Sequence, residues 1–255
     1  MRTITTIKNR SYGFTLVEMA IVLMIVGLLL GGLLVPLSAQ MEQRNVSETR
    51  KYMDEVRDAL LGFVIANGRF PSPACGTIAT GQTNAGIELS AASAPLCTTS
   101  ANDISVLPWA TLGVSETDAW GRRLTYRVTS TFADTTDGAN GTCVVTSGVS
   151  FQLCSTGNIT VKDSNAGNNV ASNIPAIVIS HGAKGCGAYI PTGGRMQDDP
   201  AIALPKYCND ADQQENVDGN ATFVSKIPVS SFDDIVVWIT PNILLNRMVT
   251  AGKLP

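Results

Sequence analysis

Residues 14–36 read FTLVEMAIVLMIVGLLLGGLLVP and contain a single charged side chain, that of Glu18. As a helix, the 22 residues 14–35 would be about 33 Å long, which is enough to cross the hydrocarbon core of a bilayer. Three basic residues precede the stretch: Arg2, Lys8 and Arg10. Basic residues on that side favour a cytoplasmic N-terminus and export of the remainder. The sequence therefore predicts one membrane-spanning segment at 14–35.

Glu18 needs an explanation, because a charge well inside a bilayer costs on the order of 3 kcal/mol. The cost falls near the end of a helix, where the side chain can reach the interface. A signal peptide would need a small-residue cleavage site after the apolar run, and residues 37–39 supply a poor one. A plain anchor explains the length of the run but not the acid. Glu18 therefore indicates a partner, with snorkelling or protonation as the alternatives.

The stretch GFTLVEMAIVLMIVG, residues 13–27, resembles the N-terminus of type IV pilins and type II secretion pseudopilins. The resemblance implies that prepilin peptidase cleaves between Gly13 and Phe14, and that Phe14 becomes the N-methylated mature terminus. It further implies that Glu18 pairs with the cationic α-amine of Phe14 in a neighbouring subunit. In a medium of low dielectric constant, such a pair would offset the desolvation of both charges.

The same resemblance implies a structural subunit, polymerised through its N-terminal helix into a pilus or a pseudopilus. Its partners would be other copies or related pilins, prepilin peptidase, the inner-membrane assembly platform and, before assembly, the membrane. The chain would be a single-pass inner-membrane protein with an exported head. Gly27 and Gly31 have the spacing of closely packed membrane helices, and Pro36 marks where the helix would loosen. The alternative is a membrane-anchored exported binding protein that does not polymerise.

Beyond Pro36 the pattern becomes amphipathic, with charged residues on the other faces. Apolar residues recur at helical spacing: Val46, Met53, Val56, Leu60, and Phe63 or Val64. Asn67-Gly68, followed by two prolines, predicts the end of the helix. The predicted organisation is a basic leader at 1–13, a membrane or filament-core helix at 14–35, an amphipathic helix at 36–66 and a globular head at 67–255.

The head is rich in β-strand and turn patterns, which predict an α+β fold with the long helix packed on an antiparallel sheet. Strands are expected within 119–132, 142–154, 176–180 and 232–240, with a polar loop at 155–173. Thr240 followed by Pro241 predicts the start of a last helix, which should end near Gly252.

Residues 117–128, TDAWGRRLTYRV, are similar to the Asp-Pro-Trp-Gly…Tyr stretch of major type II pseudopilins. Four positions match, and Ala119 replaces the usual proline: the matches are Asp118, Trp120, Gly121 and Tyr126. We expect the aromatic residues here, together with Trp109, to be packing residues.

Six cysteines are present: Cys75, Cys97, Cys143, Cys154, Cys186 and Cys208. None forms a CxxC pair, so zinc-ribbon and thioredoxin-type sites lack their spacing. An even number beyond a membrane segment indicates an oxidising compartment and up to three disulfides. A hairpin around 147–148 would place Cys143 opposite Cys154. The pairs 75–97 and 186–208 are further candidates.

Little in the sequence indicates catalysis. His181 is the only histidine, and neither a GxSxG nor an HExxH motif occurs. We therefore expect no enzyme, and a strand-end histidine satisfied by its surroundings. The net charge is −3, and removing the leader would take it to −6, which gives no footprint for nucleic acid.

An acidic cluster near the C-terminus could supply oxygen ligands for Ca²⁺, and major pseudopilins as a family carry calcium in a C-terminal loop. The candidate ligands are Asp198, Asp199, Asp210, Asp212, Glu215 and Asp218. Their spacing fits no EF-hand, and a solvated loop is the default interpretation. No other cofactor is expected.

Overall fold

The architecture was obtained from a computed structural model of the 255-residue chain. The structure describes residues 13–89, 106–134, 143, 148–196 and 210–254, with the side chains of 30–38 excepted. It divides into two compact units, Met1–Arg44 and Asn45–Pro255.

The elements follow one another as α1 (Leu16–Asn67), α2 (Trp109–Leu112), β1 (Thr125–Val128), α3 (Ser130–Ala133), β2 (Ile159–Lys162), β3 (Asn169–Ile174), β4 (Ala176–Ser180), α4 (Ala211–Glu215), β5 (Thr222–Val224), β6 (Ile235–Ile239) and α5 (Pro241–Thr250). The long N-terminal helix predicted for 14–66 is confirmed, as is the α+β class.

In the N-terminal unit, the apolar side chains of residues 14–29 are exposed, Leu16 by 87%. Taken over the residues that the structure describes, none of the helices combines the length and the hydropathy that a bilayer crossing requires. The predicted membrane span, residues 14–35, includes residues 30–35, and the side chains of those six residues are not among those that the structure describes. Gly31 and Pro36 fall in the same gap, so their predicted packing roles stay predictions.

The core of the head lies between α1 and a three-stranded antiparallel sheet of order β1-β4-β6. One stripe of α1 is fully buried, and it packs with Ala176 and Val178 of β4 and with α5. The intervening residues Ile177 and Ile179 pack on the opposite face. Both faces of β4 are therefore covered, which explains why the first four residues of its sequence AIVIS are all apolar. The stripe consists of Met53, Val56, Leu60 and Val64.

A second sheet, of order β3-β2-β5, covers that opposite face. β2 and all but the last residue of β3 lie within 155–173, so the prediction of a loop there is wrong. The pair β2–β5 is parallel, whereas the prediction was of an antiparallel sheet. The strand expected within 119–132 is only the four residues of β1, because a turn precedes it and α3 follows it. Residues 148–154 form no strand, so the strand predicted at 142–154 is wrong for those seven residues.

The last helix begins as predicted. Thr240 is the N-cap of α5, its side chain accepts a hydrogen bond from the Ile243 N–H at 3.5 Å, and Pro241 occupies the first turn. Proline is suited to that position because its missing N–H would have had no partner inside the helix.

The description of the core predicts which side chains can be replaced by alanine with a large loss of stability and which with a small one. Leu60→Ala removes a fully buried side chain from the α1 stripe, so we expect the free energy of unfolding to fall by about 2–5 kcal/mol. Ile243→Ala, at a position 48% exposed on α5, should cost less than about 1 kcal/mol. Urea denaturation of the full chain in detergent would measure both. The fluorescence of the three tryptophans (Trp109, Trp120 and Trp238) reports on the head alone. Equal losses for the two variants would contradict this description of the core.

Candidate assembly site and the polar network of the head

The first turn of α1 is closed by a reciprocal pair of side chains. The backbone N–H and hydroxyl of Thr15 donate to Oε2 of Glu18 at 2.8 Å and 3.0 Å, and the Glu18 N–H donates to the Thr15 hydroxyl at 3.2 Å. This arrangement is a capping box, which satisfies N–H groups that have no partner inside the helix. The sequence carries its signature, Thr-x-x-Glu at 15–18, but neither the predicted partner of Glu18 nor the alternatives of snorkelling and protonation included it.

The residues at the predicted cleavage site precede this turn. Residues 13–15 are not helical, and the Phe14 side chain is 79% exposed. A Cβ placed on Gly13 would meet no described atom within 4 Å. The bond between Gly13 and Phe14 therefore lies in an accessible, non-helical stretch just before a capped helix.

Residues 8–34 match the family model described as the prokaryotic N-terminal methylation motif. This motif is the hallmark of the prepilin-type signal of type IV pilins and pseudopilins. The chain carries a pilin-type N-terminus. Such a terminus indicates a pilin-like or pseudopilin precursor that is membrane-anchored at this end, and it is typical of structural subunits rather than of a class of enzymes. Comparison with curated proteins and with solved structures gave no match.

Within the head, the carboxylate of Asp118 organises the turn that follows it. Its Oδ1 accepts from the N–H groups of Trp120 and Arg122, both at 3.0 Å, and its Oδ2 accepts from the Ser180 hydroxyl at 2.6 Å. The Ala119 N–H donates to the hydroxyl of Thr49 on α1 at 3.3 Å. One buried acid thus joins the turn to β4, and the next residue joins it to α1.

The other matched positions of this stretch are also structural. Gly121 has a φ of +75°, which glycine adopts without strain. Tyr126 is buried, and its hydroxyl donates to the carbonyl of Pro71 at 3.1 Å. Trp109 is 8% exposed and Trp120 packs at the edge of the main core. The prediction that these aromatic residues serve packing is confirmed.

Arg123 is fully buried and joins several loops. Its guanidinium donates to Glu116 at 2.7 Å and lies 4.5 Å from the ring centroid of Trp109. It also donates to three backbone carbonyls, those of Gly76, Ile78 and Pro191. A buried guanidinium with this many partners is a structural centre, since every one of them must be in place to offset its desolvation.

His181 lies in a buried polar group between a hydroxyl and a carboxylate, as the histidine of a hydrolytic triad does. Its Nε2 is 2.7 Å from the Thr125 hydroxyl, and its Nδ1 is 3.8 Å from Oδ2 of Asp234. All three residues are at most 3% exposed, so no substrate could reach the hydroxyl. Within the described residues, His181 Nδ1 and Asp234 Oδ1 have no hydrogen-bond partner. The expectation of a fully satisfied histidine is therefore right for only one of its nitrogens.

Those acidic residues of the predicted calcium loop that the structure describes have partners within the protein. Asp210 caps α4 by accepting from the Asp212 N–H at 2.9 Å, and Asp212 forms an ion pair with Lys226. Asp198 and Asp199 lie outside the described residues. Over the described ranges, no group of three or more His, Cys, Asp or Glu side chains could hold a metal ion. Calcium binding here stays a prediction.

The disulfide predicted between Cys143 and Cys154 is present, with its Cα atoms 6.0 Å apart. Cys75 and Cys186 are disulfide-bonded as well. Cys97 and Cys208 lie outside the described residues, so the pairings 75–97 and 186–208 stay predictions.

An ion pair connects the residues just after α1 to the loop around residue 88. The two terminal nitrogens of the Arg69 guanidinium, Nη1 and Nη2, donate to the Glu88 carboxylate at 2.8 Å and 2.9 Å, and the Ser72 N–H adds a third hydrogen bond at 3.0 Å. Burial alone would raise the pKa of Glu88, but these hydrogen bonds and the charge of Arg69 lower it below its usual value of 4.5.

A lowered pKa of an acid makes stability depend on pH. The ion pair should stabilise the head above about pH 4.5, and this contribution should be lost as the pH falls through the lower pKa of the folded state. Glu88→Gln should therefore be less stable than wild type at neutral pH, with the gap narrowing in acid. Urea denaturation over a pH series would measure it. For Arg69→Gln, the difference in free energy of unfolding from wild type should also become smaller in acid. If that difference does not change with pH in either variant, the Arg69–Glu88 ion pair is not the source of the pH dependence.

Asp118 offers a sharper test of the head. Asp118→Ala leaves two N–H groups and the Ser180 hydroxyl without their acceptor, so we expect a loss of about 3–5 kcal/mol in the free energy of unfolding. Asp118→Asn keeps one acceptor oxygen and should lie between that variant and wild type. The control is Asp163→Ala, which removes an exposed turn carboxylate that accepts from the Asn168 N–H at 2.9 Å and should cost less than about 1 kcal/mol. Similar losses for Asp118→Ala and Asp163→Ala would show that Asp118 has no special role.

Proposed function

We propose that the chain is a structural subunit of a type IV pilus or type II secretion pseudopilus, processed by prepilin peptidase and polymerised through α1. The observation that supports this proposal is the methylation motif at 8–34, in register with the helix start at Leu16 and with the acid at Glu18. Cleavage after Gly13 would leave Phe14 as the mature terminus, two residues before the helix.

The proposal includes a topology. The N-terminus is cytoplasmic, one segment spans the inner membrane before assembly, and the head is exported. The long apolar run and the basic leader support this direction of insertion. The disulfide-bonded cysteines of the head favour an oxidising compartment on the far side of the membrane.

Assembly in this proposal depends on the Glu18 carboxylate and the α-amine of Phe14 in the next subunit. The capping box uses only Oε2 of that carboxylate, so Oε1 is available to a neighbouring amine. The pair forms only after cleavage, because the amine does not exist in the precursor. The exposed apolar side chains of residues 14–29 would then pack against the same segment of neighbouring copies, which removes them from water or lipid.

Two roles of Glu18 can be separated by substitution, since a capping box accepts glutamine in place of glutamate. Glu18→Gln keeps the cap and removes the charge, whereas Thr15→Val removes the cap and keeps the charge. We expect Glu18→Gln to be cleaved and inserted but to form no filaments. Thr15→Val should still assemble, with a helix start weakened by about 1 kcal/mol. The control is Glu48→Ala, which changes an exposed acid of the same helix.

Electron microscopy of sheared filaments and N-terminal sequencing of the mature chain provide the two measurements. Methylated phenylalanine at residue 14 supports processing, and filaments in wild type but not in Glu18→Gln support the charge pair. Normal filaments from Glu18→Gln would refute the pairing and leave only the capping role. A chain that keeps Met1 would refute processing altogether.

The alternative function is that of an anchored binding protein, which one feature of the head favours. A cleft of about 310 Å³ lies between α1 and the edge of β6, lined by Arg50, Asp54, Lys226 and residues 234–237. Its walls carry charges of both signs, which suits a small polar ligand better than an apolar one. The sequencing and microscopy above distinguish this alternative, because it predicts an unprocessed or differently cleaved chain and no filaments.

A further inference from the structure

Residues 218–222 read Asp-Gly-Asn-Ala-Thr, so Asn220 and Thr222 form an N-x-T motif of the kind that accepts N-linked glycans in exported proteins. We propose that Asn220 is a glycosylation site of the exported head. The inference rests on the proposed function only in needing export, because glycan transfer of this kind takes place outside the cytoplasm.

The site lies in a surface loop between α4 and β5, where both Asp218 and Asn220 are exposed. The Asn220 Oδ1 accepts from the Thr222 N–H at 2.5 Å, which turns the chain so that the asparagine amide lies close to the threonine. The amide nitrogen Nδ2 donates to Oδ2 of Asp218 at 2.5 Å and to Oε1 of Glu215 at 3.3 Å. A carboxylate that accepts from an amide N–H increases the electron density on that nitrogen, so the group that must act as nucleophile is the one that Asp218 polarises.

The same motif occurs elsewhere in the chain, but the structure distinguishes these copies. Asn45 lies within α1, where the helical backbone cannot form the turn. The Oδ1 of Asn158 accepts from the Thr129 hydroxyl at 2.9 Å, and the Thr160 N–H donates to the carbonyl of Ala221 at 2.9 Å instead of to its own asparagine. Among the described copies, only Asn220 is hydrogen-bonded through Nδ2 to a carboxylate. The motifs that begin at Asn9 and Asn140 lie outside the described residues.

The donor would be an oligosaccharide linked to a lipid through a pyrophosphate. The Asn220 Nδ2 attacks the anomeric carbon, so that an N–C bond forms and the C–O bond to the pyrophosphate breaks. The lipid pyrophosphate leaves with the electron pair, and the amide proton passes to a carboxylate of the transferring enzyme. No atom changes its oxidation state overall.

A glycan here would also protect the sheet. β5 is a three-residue strand at the edge of the second sheet, and it begins at Thr222. An exposed strand edge can pair with another chain, and proteins commonly block such edges with bulky or charged groups. A hydrated oligosaccharide two residues before β5 would block this edge against pairing between heads.

The test uses the full chain in detergent, a purified single-subunit bacterial oligosaccharyltransferase and a lipid-pyrophosphate-linked oligosaccharide. Intact-mass spectrometry should show the addition of one glycan, located at Asn220 by peptide mapping. Asn220→Gln and Thr222→Ala should abolish the addition, and Thr222→Ser should retain it. Asp218→Asn should lower the rate about tenfold, the size expected from weakening a hydrogen bond to a charged group. Asn158→Gln, the matched control, should leave the addition unchanged.

Two results would overturn the inference. One is glycan addition that persists in Asn220→Gln. The other is the absence of glycan addition to a wild-type chain whose tryptophan fluorescence shows a folded head. The outcome is independent of the proposed assembly function, because this reaction needs neither cleavage at Gly13 nor filaments. A glycosylated chain that never polymerises would refute the assembly proposal alone.

Discussion

The head depends on the burial of a charge that has no contact with water. The Arg123 guanidinium is 0% exposed and is surrounded by the Glu116 carboxylate, three backbone carbonyls and the face of Trp109. A buried ion that lacks some of its partners costs several kcal/mol, so the loops that supply those carbonyls must come together at the same time. Five residues earlier along the chain, Asp118 imposes a similar requirement on Ser180 of β4. Residues 116–123 thereby determine how α1, the central sheet and the connecting loops of the head are joined.

The apolar residues of α1 have different surroundings in its two parts. In the head, the stripe from Met53 to Val64 is buried by the sheet and by α5, so packing within one chain stabilises it. In the N-terminal unit, residues 14–29 are exposed and almost entirely apolar, and an apolar surface of that extent is stable only against lipid or other chains. If the chain is a filament subunit, as we propose, this division lets the head fold independently while the N-terminal segment of α1 joins a shared fibre core.

Sequence patterns predicted the elements that are specified locally. The apolar periodicity gave α1, the continuous apolar run gave β4, and the Thr240-Pro241 pair gave the start of α5. The missed strands β2 and β3 have weaker patterns. β2 (ITVK) alternates apolar and polar residues but is only four residues long, and it pairs in parallel with β5 some sixty residues later. β3 has four of its six residues exposed and no alternation of apolar and polar residues. Arg123 could not be recognised as buried, because its partners are spread from residue 76 to residue 191. The capping box at Thr15 and Glu18 has a local sequence signature, Thr-x-x-Glu, and could have been predicted from it.

That capping box changes how an acid in an apolar helix can be understood. Before any partner arrives, two hydrogen bonds from Thr15 to Oε2 compensate part of the cost of placing the carboxylate there. Glu18 therefore does not need a neighbour in order to exist in the monomer, which a purely intermolecular explanation would require. The α-amine, in contrast, appears only when the bond after Gly13 is cut. In our proposal, Thr15 of the same chain stabilises the Glu18 carboxylate before assembly, and the Phe14 α-amine of a neighbouring subunit pairs with it afterwards. Processing must come before assembly because that amine exists only after cleavage.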